Sequence, residues 1–438
     1  MTQKQFKEAL LRGQGRCLQA IQSDPAKYYS IVLWACSHTV AFDAQCEGTR
    51  AWFVYQLISC YEDKEPFLKA AISGLQKATS DGGWRVLYLA ELLCQFASDG
   101  ELAAESTLWD KYKELYHALL TKRKAPDGIF PERDNFAMLC QVLADSKVSM
   151  VRIAEDIGRL YRTKDFYDGY DFDWLFNTKA KRYMGTLKKQ AQKSPNVSAY
   201  LQYSKAKEEE AAKKRQNRRA DPERYMQGRM LSVWLRNKAD AETVQKYADA
   251  YLMQKDPIKR ANALVAFSRC PFPGDPETVI QDARSDCEPL RNAAWEALEN
   301  IRHPSVRGFA MEQLPYCTEM VIPILILNYQ SQDEEMLVTL IKSIPVDFEC
   351  NTNWHGIHGD ILAMEDRKLK APPALLWHIY ETTFCSCCRE YALLQMGKRR
   401  LLSTEILEEC LLDSNDDIRK YASKCLKRRQ HQTQLPEK

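Results

Sequence analysis

The chain has 438 residues, of which 45% are apolar and 28% charged, and its formal net charge is +3. This composition is typical of a folded globular protein and excludes wholesale disorder, and the small net charge gives no general argument for nucleic-acid binding. Glycine (17) and proline (18) are sparse, so tight turns are few, which disfavours a many-stranded sandwich or barrel. Helix-forming residues are abundant, and the sequence therefore predicts an all-α fold.

Cysteine usage and hydropathy indicate the compartment. The 15 cysteines are scattered through apolar stretches, and residues 1–7 contain no apolar signal-peptide core. The longest apolar run, Met320–Leu327, is interrupted by Pro323 and is far shorter than the ~20 residues that span a bilayer. We expect a cytoplasmic protein that is neither secreted nor inserted in a membrane.

The N-terminal part, residues 1–185, shows the spacing of amphipathic helices. Its clearest stripe has apolar residues at i, i+4 and i+7, which is typical of a buried helical face: Leu108, Tyr112, Leu115, Tyr116, Leu119 and Leu120. Breaks are predicted where Asp, Ala or Ser lies near Gly or Pro: Ser23–Pro25, Asp81–Gly83, Ser98–Gly100 and Ala125–Gly128. We predict an array of helices, less regular than the array that follows.

Residues 186–230 are rich in charge, and Lys205–Arg215 has almost no apolar face. Glu209 precedes Lys213 by four residues and Glu210 precedes Lys214 by four, the favourable orientation for ion pairs on a helix. We interpret this region as a solvated helical linker, after which Pro222 begins a new helix.

An internal repeat appears in residues 231–430. Its phrase is Arg, then Ala three residues later, then a large apolar residue seven residues after the Arg. The copies are Arg260/Ala263/Phe267, Arg291/Ala294/Leu298, Arg307/Ala310/Leu314, Arg389/Ala392/Met396 and Arg419/Ala422/Leu426. We expect the Ala where two helices cross closely, and the Arg on carbonyls or an Asp of a neighbouring turn.

This phrase, in Asp286–Leu298 and Ser414–Ala422, resembles HEAT repeats and their armadillo-type relatives. The resemblance covers residues 250–315 and 375–428, and the short distance between Arg291 and Arg307 leaves the repeat register open. It implies an α-solenoid of helical hairpins over 231–430, with an insertion at about 346–371 and a tail at 431–438.

Two segments are candidate binding sites. In residues 165–174, carboxylates alternate with aromatic residues, a combination that can bind a cationic peptide: Asp168, Asp171, Asp173 and Trp174. The alternative is a loop whose aromatic residues pack inward. The insertion offers Trp354, His355 and His358, and its weak metal candidates are His355, His358, Asp360 and Cys385. The alternative there is a structured loop with surface histidines.

Two further motifs have structural interpretations. Three basic runs, at Lys213–Arg219, Lys398–Arg400 and Lys427–Arg429, are interpreted as solvated helical faces, and the alternative is contact with phosphates. Gly13 and Gly15 are interpreted as a helix break or close-packing site, because neither a preceding strand nor a phosphate-binding motif accompanies them.

The sequence contains no serine-nucleophile elbow, HExxH helix, P-loop or kinase signature, so we predict no cofactor and favour a non-enzymatic role. The leading hypothesis is an interaction or scaffold protein that binds a protein or peptide on a concave surface. The alternatives are a nucleic-acid-binding HEAT-like protein of the DNA-repair type, and a metal-binding module at 350–388.

Overall fold

The computed structural model of the chain describes residues 1–43, 47–78, 84–121, 131–163, 179–221, 227–348 and 354–433. Within these ranges the protein is 75% helix, with 24 α-helices and no strand, so the predicted all-α class is confirmed. Among them we find no helix with the length and apolar character needed to cross a membrane.

The chain divides into two compact units. Unit 1 comprises Met1–Ala211, Phe384–Glu390 and Leu401–Lys438, and unit 2 comprises Ala212–Thr383 and Tyr391–Arg400. The helices of the first half of the chain are α1 (Gln3–Arg12), α2 (Arg16–Ser23), α3 (Pro25–Ala35), α4 (Arg50–Ile58), α5 (Glu65–Lys77), α6 (Trp84–Ser98), α7 (Leu102–Thr121), α8 (Pro131–Leu143), α9 (Lys147–Arg162), α10 (Lys181–Ala191) and α11 (Pro195–Ala220).

The second half continues with shorter helices. They are α12 (Gly228–Asn237), α13 (Ala241–Leu252), α14 (Pro257–Leu264), α15 (Pro276–Ala283), α16 (Glu288–Leu298), α17 (Pro304–Gln313), α18 (Thr318–Leu327), α19 (Glu334–Ser343), α20 (Trp354–Leu362), α21 (Pro373–Thr382), α22 (Ser386–Lys398), α23 (Thr404–Cys410) and α24 (Asp416–Thr433).

Asp-Pro pairs begin several of these helices. Asp24 accepts a hydrogen bond from the Lys27 amide and Pro25 is the first residue of α3, so the predicted break at this position is confirmed. Asp256 caps α14 in the same way, ahead of Pro257. The carboxylate satisfies an amide that has no partner inside the helix, and proline occupies a position where its missing N–H is not needed.

The core of unit 1 is built from apolar helical stripes. On α7, Leu108, Tyr112, Leu115 and Leu119 are buried as their spacing predicted, whereas Leu120 is 39% exposed. The Tyr112 hydroxyl donates to Asp156 of α9 at 2.8 Å, which satisfies the polar end of a buried ring.

Gly13 and Gly15 lie where the start of the chain meets residues 409–414 within unit 1. Gly13 has φ +72°, and its carbonyl accepts a hydrogen bond from the Ser414 amide at 2.8 Å. A Cβ on Gly15 would lie 2.0 Å from the Glu409 carbonyl oxygen. The close-packing interpretation of these glycines is therefore confirmed, and Arg16 closes the same junction with an ion pair to Glu409 at 2.8 Å.

Two ion pairs are buried in unit 1. Arg389 is fully buried and donates from Nε and Nη2 to the two carboxylate oxygens of Asp413, at 3.1 and 2.8 Å. Arg50 lies 2.9 Å from Glu47, and both side chains are 1% exposed. Such pairs hold the chain in one arrangement, because removal of either partner leaves an uncompensated buried charge.

Two expectations about residues 318–362 were wrong. A proline in the apolar run Met320–Leu327 is expected in the first turn of a helix, but Pro323 lies inside α18, which already begins at Thr318. The insertion, expected to be a loop, forms helix α20, because Trp354, Ile357, His358 and Ile361 have helical spacing and are all buried. Their common apolar face outweighs the glycines at 356 and 359.

Candidate binding cleft

In unit 2, side-chain amides join a helix to the C-terminal end of the helix two before it. Asn300, after α16, donates to the carbonyl of Ser268 at 2.9 Å, and Asn328, after α18, donates to the carbonyl of Ile301 at 3.0 Å. Gln395 donates to the carbonyl of Leu362 at 2.7 Å. These bonds satisfy carbonyls that helix ends leave free, and they keep the ends in register.

A cleft of about 620 Å³ opens beside these ends, within the size range of ligand sites. Its lining combines arginines with apolar side chains and backbone: Arg236, Pro271, Phe272, Gly274, Pro276, Glu299, Asn300, Ile301, Arg302, His303, Leu327 and Arg367.

Aromatic packing and a backbone hydrogen bond hold the walls of the cleft in place. Phe272 is buried against the rings of Tyr251 and Phe267, with centroids 5.4 and 5.2 Å apart. A Cβ on Gly274 would lie 2.7 Å from the Phe272 ring, so the loop needs glycine to pass over it. On the other side, the His303 amide donates to Asn328 at 2.9 Å, which fixes the turn that carries Arg302.

The cleft carries more positive than negative charge. Arg236 and Arg302 are exposed, and in the part of the chain that the structure describes neither has an ion-pair partner. Arg367 lies 3.4 Å from Asp360, and both side chains are largely buried. The two guanidiniums without partners are therefore available to an anionic ligand.

Glu299 is a half-buried carboxyl in the lining of this cleft. Burial raises its pKa to about 7; the neighbouring Asp360 adds to the rise, and Arg269 and Arg367 oppose it. Burial also raises the pKa of Asp360. Near neutral pH, Glu299 therefore neutralises the arginines only in part.

Replacement Glu299→Gln is expected to stabilise the protein increasingly as the pH rises. The pKa of this carboxyl is about 7 in the folded state and 4.5 in the reference state, so ionisation opposes folding as pH rises between these values. The difference in unfolding free energy should be near zero at about pH 4.5 and approach about 2–3 kcal/mol above about pH 7. Parallel denaturant titrations of both proteins measure it, and a difference independent of pH would contradict the prediction. Burial also raises the pKa of Glu91 to about 7. Glu91 is present in both proteins, so its contribution cancels in the difference between their unfolding free energies.

The predicted binding residues fall in two places. Asp168, Asp171, Asp173 and Trp174 lie outside the described residues. Trp354 and His358 are each 1% exposed and lie in the interior of unit 2, where the Trp354 indole donates to the Asp347 carbonyl at 3.2 Å. His355 is half-buried on the same helix. Helix α20 therefore contributes these side chains mainly to the core and not to an exposed binding surface.

Three of the weak metal candidates, His358, Asp360 and Cys385, are buried or half-buried. His358 packs edge-on to His378 with ring centroids 5.9 Å apart, and burial lowers the pKa of His358 to about 3, so it is neutral at physiological pH. Asp360 is occupied by its ion pair with Arg367. Cys385 is a buried residue of unit 1. Metal binding at 350–388 stays a prediction.

Three arginines of the repeat phrase contact an Asp, which lies in the last turn of α15 for Arg260 and outside the α-helices for the other two. Arg260 lies 2.6 Å from Asp282, and Arg307 lies 2.5 Å from Asp333. In unit 1, Arg389 makes its buried pair with Asp413. Each of these guanidiniums is engaged within the fold and serves its stability.

The other two arginines of the phrase bind carbonyls, which is the second contact that the sequence predicts for them. Arg291 donates to the Ser285 carbonyl at 2.9 Å. Arg419 donates to the carbonyls of Asp413 and Ser414. These bonds also satisfy backbone groups in the turn before each helix.

The alanines of the phrase lie in the interior and contribute no surface to a binding site. Ala294 of α16, Ala310 of α17, Ala392 of α22 and Ala422 of α24 are all 0% exposed. Ala263 of α14 departs from this pattern, because it is only half-buried. The phrase therefore marks residues that pack the helices rather than residues that contact a ligand.

Sequence reasoning missed the cleft, although a signal was present. Arg236, Arg269 and Arg302 lie 33 residues apart, and Asn300 reaches the Phe267 carbonyl 33 residues earlier. A search for polar residues repeated after helix ends, in addition to the apolar phrase inside helices, would have found this period.

In comparisons with known proteins, no family model, curated protein or solved structure matches the chain. The geometry of the cleft is therefore the basis on which we propose a function.

Proposed function

We propose that this chain is a helical-repeat interaction protein and that the unit 2 cleft binds an acidic segment of a partner protein. The observation that carries the proposal is the pair of exposed guanidiniums, Arg236 and Arg302, that have no ion-pair partner among the described residues and line one cleft with Phe272, Ile301 and Leu327. Arginine binds carboxylates through two parallel hydrogen bonds, and the apolar lining suits intervening side chains.

An α-solenoid of HEAT-like hairpins in unit 2 is part of the same proposal. In support, α14 packs against both α13 and α16, α15 against both α16 and α17, and α18 against α17, α19 and α20. Contact with the next helix and the next but one is the pattern of stacked hairpins, which offer an extended binding surface without catalytic groups.

A peptide fits this cleft better than a nucleic-acid backbone does. Glu299 lines the cleft, and Asp360 contacts its Arg367. These carboxyls repel a phosphodiester and an acidic side chain alike, so the difference between the two ligands lies in what else their backbones offer. A polypeptide has backbone N–H groups that can donate hydrogen bonds to a carboxylate, whereas the phosphodiester backbone has no such donor. The mixture of arginines with half-buried carboxyls therefore favours a polypeptide ligand.

The test is a fluorescence-anisotropy titration of the full chain with a short labelled peptide in which glutamate alternates with leucine. Arg236→Ala combined with Arg302→Ala should weaken binding by about tenfold or more, since two charge-assisted contacts are lost. The matched control is Arg229→Ala with Lys342→Ala, which removes the same charge from exposed positions of unit 2 outside the cleft.

Three results would contradict the proposal. They are no binding of the acidic peptide, equal loss in the control variant, and complete displacement of the peptide by a short oligonucleotide. Displacement by the oligonucleotide would indicate that the cleft binds a nucleic acid instead of a peptide.

A further inference from the structure

The last helix of unit 1, α24, carries a continuous basic face. Lys420, Lys424, Lys427 and His431 follow one another at intervals of four, three and four residues, which places them on one side of the helix, and Arg428 lies beside them. All five are exposed, and together with Leu411, Arg419 and Ser423 they line an open cleft of about 650 Å³.

The basic residues of α24 divide into engaged and available side chains. Lys420 pairs with Asp416 and Asp417 at 2.5 and 3.3 Å. Arg419 lies over the Trp52 ring at 4.1 Å, and Arg429 donates to the Leu402 carbonyl at 2.6 Å.

The other four have neither a hydrogen bond nor an ion pair within the described ranges: Lys424, Lys427, Arg428 and His431. The acidic residues of α24 cluster in its first turn, Asp416 and Asp417, and among the described residues the acidic ones nearest to α24 in sequence lie in residues 405–413. Of the latter, Glu409 pairs with Arg16 and Asp413 with Arg389. The exposed face past Lys420 therefore presents uncompensated positive charge.

We infer that this face of α24 binds the phosphate backbone of a nucleic acid. From Lys420 to His431 the helix rises about 16 Å, a length over which a DNA duplex presents several phosphates. The described residues that line the cleft include no Phe, Tyr or Trp on which a base could stack, so the contact that we infer is with the phosphates. Leu411 is the only apolar residue among them, which gives too little apolar surface for insertion into a membrane.

This surface is independent of the acidic-peptide cleft, because the two lie in different units and share no residue. A chain with both surfaces would bring a protein partner to a nucleic acid.

The test is the salt dependence of binding of a labelled DNA duplex to the full chain. The permanent cations Lys424, Lys427 and Arg428 predict a slope of log K against log salt concentration of about −3. Lys424→Gln combined with Lys427→Gln should make the slope shallower by about two and lower the affinity at low salt by about tenfold or more. The matched control is Lys188→Gln with Lys189→Gln, two exposed lysines of α10 in the same unit, which should leave binding unchanged.

Absence of duplex binding, or equal slopes in the wild type and the Lys424/Lys427 variant, overturns the inference. Binding of phosphatidylserine vesicles in preference to the duplex also overturns it, and assigns the face to a membrane surface. The combined Arg236 and Arg302 variant should bind the duplex normally, so failure here is distinguishable from failure of the proposed function.

Discussion

Replacement of Gly15 by alanine is expected to destabilise unit 1 by about 3 kcal/mol or more. The new Cβ would lie 2.0 Å from the Glu409 carbonyl oxygen and 2.8 Å from the Leu412 Cβ. Because the obstructing atom belongs to the backbone, rotation of a side chain cannot relieve the clash. Either α2 or the α23 region must move, and the Arg16–Glu409 ion pair at 2.8 Å is strained with it.

Thermal unfolding measures this effect, and we expect Tm to fall by roughly 5–10 °C. The matched control is Gly185→Ala in α10, where a Cβ would meet no atom within 4 Å. There the greater helix propensity of alanine should stabilise the protein by about 0.5–1 kcal/mol. An unchanged Tm in the Gly15→Ala protein would show that the junction between residues 13–16 and 409–414 is not formed as described.

The second large effect is expected from Asp413→Ala. This change leaves the fully buried Arg389 guanidinium without the carboxylate that it contacts at 3.1 and 2.8 Å. An uncompensated buried charge costs about 3–5 kcal/mol. Asp413 also accepts a hydrogen bond from the Asn415 amide at 2.8 Å, so part of the loss, about 1 kcal/mol, comes from the turn before α24.

Denaturant unfolding of a variant that lacks both charges tests the contribution of the unpaired charge. Arg389→Met combined with Asp413→Leu removes both charges and fills the space with apolar atoms, so it should be less destabilising than Asp413→Ala alone. If the double variant were the less stable protein, the pair would be stabilising in itself, and the argument from an unpaired charge would be wrong.

Much of the helical structure follows from local signals in the sequence. The stripe of α7 and the Asp-Pro starts of α3 and α14 were predictable because helix formation depends on spacing and capping within a few residues. Helix α20 was missed although its buried residues have the same spacing, because its histidines were interpreted as surface residues of a structured loop.

The close packing at Gly15 was predicted, whereas its partner was not. Arg16 and Glu409 are separated by 393 residues, and no local pattern encodes a contact over that distance. The cleft was missed for a related reason. Arg236, Phe272, Arg302 and Arg367 each follow or end a different helix, so they meet only when the helices stack. The individual residues resemble ordinary cationic helix ends, which the helix dipole also favours.

The most direct measurement of the central claim is a charge exchange at the cleft. Arg236→Glu combined with Arg302→Glu should abolish anisotropy binding of the glutamate–leucine peptide and create binding of the same peptide with lysine in place of glutamate. Binding of the lysine peptide by the charge-reversed protein requires that these two side chains face the ligand. A general loss of stability would not produce this new binding. If the reversed protein bound neither peptide while remaining folded, or still bound the glutamate peptide as the wild type does, the cleft would not be the site of an acidic ligand.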